Sequence, residues 1–206
     1  DISNPSDVRT VANTVTDLNG RAGFTSIQDA IDGANPENGA ADSPVGSDGT
    51  IFVEPGTYQG PVQIVDGETN LTIRSTDGAG STTIDATEGN AQSVPSFNAQ
   101  AVRISADGVT IDGFEILGDD TIVSGVFIAG GSGGGDNVEV LNNIIEGMSR
   151  PGFGGPSDNS AGIVTAAFGG GDPEVIEGFV ARNNSIRDIG NTNKKPNNPD
   201  DGTRAQ

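Results

Sequence analysis

Asp107-Gly108-Val109-Thr110-Ile111 returns as Asp136-Asn137-Val138-Glu139-Val140, an offset of 29 residues from Asp107 to Asp136. Each copy opens on two turn-forming residues and continues as apolar-polar-apolar alternation, the period of a half-buried strand. Other runs recur in the same way. Leu141-Asn142-Asn143-Ile144-Ile145 returns as Arg182-Asn183-Asn184-Ser185-Ile186, 41 residues on. Gly125-Val126-Phe127-Ile128-Ala129 returns as Gly162-Ile163-Val164-Thr165-Ala166 at 37, and Asn70-Leu71-Thr72-Ile73 precedes Gly108-Val109-Thr110-Ile111 by 38. A constant strand grammar with variable offsets describes one structural unit interrupted by loops of different length.

The same short runs fill the chain from residue 50 onward. They are Thr50–Val53, Val62–Val65, Leu71–Ile73, Thr83–Ile84, Ala101–Ile104, Val109–Ile111, Phe114–Ile116, Val126–Ile128, Val138–Val140, Ile144–Ile145, Gly162–Thr165, Phe179–Ala181 and Ile186. The shortest visible repeat, from Ala101 to Gly125, is 24 residues. About two dozen residues holding three short strands fit one turn of a parallel β-helix, whose coils stack at ~4.8 Å. About five such coils fit between residues 50 and 190. Upstream, Ile27, Ala30, Ile31 and Ala34 follow the helical period, and Ser26 is a good N-cap with Asp29 three residues on. This predicts a short amphipathic helix over 24–34, stopped by Gly33 and Pro36, after an irregular lead-in over 1–23. Residues 35–49 read as a loop.

Composition bounds the function. The chain has 206 residues, 10 Lys+Arg and 29 Asp+Glu, for a formal net charge of −19, with 32 Gly and no His, Cys or Trp. Without Cys or His there is no disulfide framework, no Cys/His zinc site, no thiol nucleophile, no Ser-His-Asp triad and no imidazole base. Net negative charge opposes nucleic-acid binding, and no apolar run approaches the ~18 residues of a membrane span. High Gly and high charge also occur in disordered chains. The periodic strands answer that, because a solenoid buries only its inward positions. Asp1-Ile2-Ser3-Asn4-Pro5 is not a signal peptide, which reads as a mature or excised form.

The chain resembles right-handed parallel β-helix proteins of the pectin-lyase-like superfamily over roughly residues 24–190. The likeness is carried by Phe24-Thr25-Ser26-Ile27-Gln28-Asp29-Ala30-Ile31, by Val53-Glu54-Pro55-Gly56-Thr57-Tyr58, and by the Asn pairs Asn142/Asn143 and Asn183/Asn184. The resemblance implies a helix capping the N-terminal end of the column and a ladder of stacked Asn in the bends. With its acidic balance, the chain looks most like secreted surface proteins of extremely halophilic archaea. That implies an extracellular or cell-surface location.

The superfamily includes lyases, hydrolases, esterases and non-catalytic domains, so the residues must decide between them. Gly118-Asp119-Asp120 is similar to the paired aspartates of polygalacturonase-like hydrolases, and paired carboxylates can act as acid and base on a glycosidic bond. The Asn-Thr-Asp, Gly-His-Gly and Arg-Ile-Lys companions are missing, as are the two catalytic Asp contexts of pectin methylesterases. A solvated turn is the simpler reading of Asp119 and Asp120. A lyase would need calcium, held by carboxylates such as Asp107, Asp112 and Asp136, with Arg150 as the base. These carboxylates match no calcium-loop spacing. No cofactor is the primary expectation, with calcium as the alternative.

The insertions Gly130–Gly135, Ser149–Asn159 and Phe168–Pro173 interrupt neighbouring coils, and such insertions line one side of a solenoid. Arg150, Phe153, Asp158, Asn159 and Phe168 are therefore candidates for a glycan platform, although Phe153 and Phe168 would equally pin their loops. Asn70-Leu71-Thr72 and Asn183-Asn184-Ser185 are glycosylation sequons. Asn183 is expected to turn inward, which favours Asn70. Residues 191–206 hold almost no apolar side chain and no capping helix, so the last coil is expected to be covered by a polar plug, by a partner or by further chain. The expectation is a non-catalytic surface module for adhesion, glycan contact or assembly, including head-to-tail or end-on self-association. Its partners would be a polysaccharide or surface glycan, or other surface-protein subunits. A carboxylate-based lyase or glycoside hydrolase is the alternative.

Overall fold

The computed structural model describes residues 8–11, 23–32, 49–65, 67–87, 99–130, 134–149, 160–167 and 175–190. In chain order the elements are β1 (Val8–Val11), β2 (Gly23–Phe24), α1 (Ile27–Asp32), β3 (Thr50–Val53), β4 (Gly56–Gln59), β5 (Val62–Ile64), β6 (Thr72–Ser75), β7 (Thr82–Asp85) and β8 (Ala99–Ile104). They continue with β9 (Thr110–Asp112), β10 (Glu115–Leu117), β11 (Ile122–Gly130), β12 (Glu139–Leu141), β13 (Ile144–Glu146), β14 (Ala161–Ala167), β15 (Val180–Arg182) and β16 (Ser185–Arg187). Three parallel sheets result. Sheet I runs β15-β12-β9-β6-β3-β1-β2, sheet II β16-β13-β10-β7-β4, and sheet III β14-β11-β8-β5. From Thr50 onward the chain visits sheets I, II and III in turn. It completes four coils and enters a fifth with β15 and β16. The fold is an all-β parallel β-helix.

Every sequence offset reappears as a pairing register. Thr72 pairs with Thr110, Thr110 with Glu139, Leu141 with Arg182 and Val126 with Ile163. Like residues therefore stack. Ile51, Ile73, Ile111 and Val140 form one inward row of sheet I. Tyr58, Ile84, Ile116 and Ile145 form that of sheet II, and Val62, Val102 and Val126 belong to sheet III. All are buried. Each such aliphatic side chain removed from water contributes roughly 1.5–3 kcal/mol, which lets a narrow column hold together with few aromatics.

The corners explain the Gly, Asn and Asp at the junctions. Asn70, Gly108, Asn137 and Gly178 enter sheet I with φ between 55° and 68°. Gly113, Asn142 and Asn183 leave it at 82°, 55° and 58°, and Gly147 and Asp188 leave sheet II at 84° and 53°. Left-handed backbone is open to Gly and, among L-residues, best tolerated by Asn and Asp.

At the head of the column, α1 buries Ile27, Ala30 and Ile31 against β1, β2, β3 and β5. Ser26 begins the helix, its Oγ accepting from the Asp29 N–H at 3.3 Å. α1 is shorter than the helix expected over 24–34, and Phe24 lies in β2 instead. Three strands were not expected: β1, β2 and β4. β1 falls in the lead-in and owes its place to β3, with Val8 opposite Thr50, a long-range pairing that no local period reveals. In β4 only Tyr58 is buried, so alternation is too thin to read.

Candidate functional site

The connections divide unequally among the corners. Sheet I passes to sheet II through two residues in four of five coils, as at 54–55 and 113–114. From β3 onward, the connections of 12 or more residues are β7–β8, β13–β14 and β14–β15. Each enters or leaves a strand of sheet III. These long connections thus all begin or end at one sheet.

On the outer side of that sheet, Gln63, Arg103, Phe127 and Val164 lie in one register row. The Arg103 guanidinium lies over the Phe127 ring, 5.9 Å from its centroid, within cation–π range. Sequence reading missed this pair, although its own 24-residue repeat sets Arg103 beside Phe127. Arg150, Phe153, Asp158 and Asn159 belong to the β13–β14 connection and Phe168 to β14–β15. All five lie outside the described residues.

The carboxylate candidates are dispersed, and most are engaged. Asp119 closes the β10–β11 turn, where its Oδ1 accepts from the Thr121 N–H at 2.8 Å and the Thr121 hydroxyl at 2.7 Å. Asp120 beside it is exposed. Asp107 and Asp136 stitch coils at the corner entering sheet I. Asp107 Oδ1 accepts from the Asp136 N–H at 2.9 Å, and Asp136 Oδ1 from the Glu177 N–H at 2.8 Å. Asp112 is at the other end of β9, with Arg74 Nη2 at 2.7 Å and the Asn142 Nδ2 donor at 2.7 Å. Among the described residues no group of three or more carboxylates is arranged to hold a metal ion.

The Asn pairs split into two ladders. Asn143 and Asn184 are inside. Asn143 Oδ1 accepts from the Phe114 N–H at 2.8 Å while its Nδ2 donates to the Ile111 carbonyl at 3.0 Å. Asn184 repeats this one coil later, accepting from the Asn143 N–H at 2.9 Å and donating to the Val140 carbonyl at 2.7 Å. Asn142 and Asn183 are outside, with Asn183 Nδ2 donating to Asn142 Oδ1 at 3.2 Å. Asn183 is therefore exposed rather than turned inward, because the left-handed corner aims it at solvent and gives the interior to Asn184. Asn70 is exposed as well.

A second surface feature lies at the head. An open hollow of about 490 Å³ is lined by Gln28, Asp29, Asp32, Gln59, Gly60, Pro61 and Gln63. Gln28 is committed to structure: its Oε1 accepts from the Gln63 N–H at 2.8 Å and its Nε2 donates to the Gln63 carbonyl at 3.1 Å. The side-chain amide thus imitates a neighbouring strand at the edge of β5.

Comparison with protein-family models, with curated proteins and with solved structures finds no match to this chain. Its function must be argued from its own residues. Among the described residues no helix is long and apolar enough to cross a membrane.

Proposed function

We propose that this chain is a non-catalytic, extracellular β-helix module of the pectin-lyase-like kind from a high-salt environment, which binds acidic surface glycans on the outer face of sheet III. The observation that carries this reading is that, from β3 onward, every connection of 12 or more residues begins or ends at a strand of that sheet. Loops on a rigid scaffold are where recognition residues collect. Arg103, its guanidinium over the Phe127 ring, is a cation suited to a uronate carboxylate. The insertion residues Arg150, Phe153, Asp158, Asn159 and Phe168 would add to the same face. The turn hydrogen bonds of Asp119 favour a structural role over the lyase or hydrolase alternative.

The test is a glycan array and titration with polyuronates at molar salt. Wild type is expected to bind, and Arg103→Ala to weaken binding about tenfold or more at unchanged melting temperature, since charge-assisted hydrogen bonds are lost. Asp77→Asn, at the opposite end of the coil, should bind normally. Absence of polyuronate binding by wild type, or an Arg103→Ala variant that binds as well, would overturn the proposal. Release of unsaturated or reducing sugar that is abolished by Asp119→Asn would establish the enzyme instead.

A further inference from the structure

The head edge of sheet III is closed by side chains. β5 is the outermost strand there. The Ser105 N–H donates to the Ile64 carbonyl at 2.8 Å, so Ile64 turns its backbone groups toward β8. Successive residues of a strand bond to opposite sides, so Gln63 and Val65 turn theirs toward the head. Three alternate positions along this edge are each shut in a different way. Pro61 has no N–H to offer. Gln63 gives both of its groups to one amide: its N–H donates to Gln28 Oε1 at 2.8 Å, and its carbonyl accepts from Gln28 Nε2 at 3.1 Å. Val65 gives both of its groups to Glu68. Its N–H donates to Glu68 Oε2 at 2.8 Å, and its carbonyl accepts from the Glu68 N–H at 3.2 Å.

The Gln28 amide is held, and held one way round. Ile27, Ala30 and Ile31 anchor α1 in the core, which fixes where the side chain starts. Nε2 donates to Asp32 Oδ1 at 2.9 Å as well as to the Gln63 carbonyl. A flipped amide would set Oε1 against two acceptors and Nε2 against the Gln63 N–H, so all three hydrogen bonds would be lost together. Pro61 is closed covalently, and Val65 within its own turn. Gln28 alone reaches across from another element, 35 residues away in sequence. An amide bonded to both groups of a strand residue makes the contacts of a neighbouring strand, and what it imitates is what it excludes. We infer that Gln28 is a lock on a latent strand-addition edge. While its amide is in place, β5 takes up no further strand. Once the amide is removed, the Gln63 groups are open to an extended chain, and in a solution of this protein alone that chain is the same edge of a second copy. This goes beyond the glycan-binding proposal and does not depend on it.

The test uses the full 206-residue chain in molar NaCl, without glycan. Alanine favours helix, so Gln28→Ala keeps α1 while removing the amide. The Gln63 N–H should exchange with solvent deuterium at least about tenfold faster in Gln28→Ala than in wild type, because its hydrogen bond is gone. The Ile64 N–H, on the β8 side, should exchange alike in both. In sedimentation velocity, Gln28→Ala should associate at a concentration at least about tenfold below that at which wild type does. Adding Gln63→Pro repeats in the middle of β5 the closure already present at Pro61, so Gln28→Ala/Gln63→Pro should sediment as wild type. Equal exchange of the Gln63 N–H in wild type and Gln28→Ala would overturn the inference. So would a Gln28→Ala variant that sediments as wild type at every concentration, or a double variant that associates as readily as Gln28→Ala.

Discussion

Asn70, Gly108, Asn137 and Gly178 show how a single position constrains the one above it. A Cβ on Gly108 would overlap Asn70 Oδ1, and one on Gly178 would overlap Asn137 Oδ1. The alternation of Asn with Gly along this corner is therefore steric as well as conformational. Gly108→Ala is expected to cost about 2–4 kcal/mol, the sum of a left-handed Cβ and the overlap. Gly67 supplies the contrast. Its φ is 101°, but nothing lies within 4 Å of the added Cβ, so Gly67→Ala should cost only about 1–2 kcal/mol. Denaturant titration of both variants would check this, and equal losses would refute the steric account. Turn chemistry made these corners legible in the sequence. Which Asn of each pair faces inward was not legible, because that depends on the φ of the residue before it.

Element boundaries were readable where alternation ran through paired coils and unreadable where one inward residue stood alone, as in β4. The turn after β5 adds a chemical detail. Glu68 is 7% exposed, and its Oε2 accepts from the Val65 N–H at 2.8 Å. Burial, and more weakly the charge of Asp32, raise its pKa, and the Val65 hydrogen bond only partly offsets this. A raised carboxyl pKa means that the fold favours the protonated form. The associated stability is complete below the ordinary glutamate range and is lost as pH rises through the folded value. At pH 7 the buried charge is thus a net cost. Glu68→Gln is expected to melt higher than wild type at pH 7, with the gap closing toward pH 4. Melting curves at several pH values decide it. A gap that persists at low pH would locate the effect in packing.

At the scale of the molecule, the fold was legible because repeat offsets and strand registers are one quantity: 29, 37, 38 and 41 residues in sequence are the same steps in space. The binding face was only partly legible. Insertions can be counted in a sequence, but the gathering of the long ones around sheet III appears only once strands are assigned to sheets. Among the described residues most Asp and Glu lie at corners and outward positions. Screening at ~1 M salt shortens the Debye length to ~3 Å, so the melting temperature is expected to rise steadily from dilute buffer to molar KCl. A flat profile would remove the high-salt reading. The stacking of the coils has a mechanical consequence. Most bonds between coils run along the column axis, so a pull on the tail loads the coils in series. Each coil gives way in turn, and the molecule peels like tape from a roll. A sideways pull shares its load over all the coils at once.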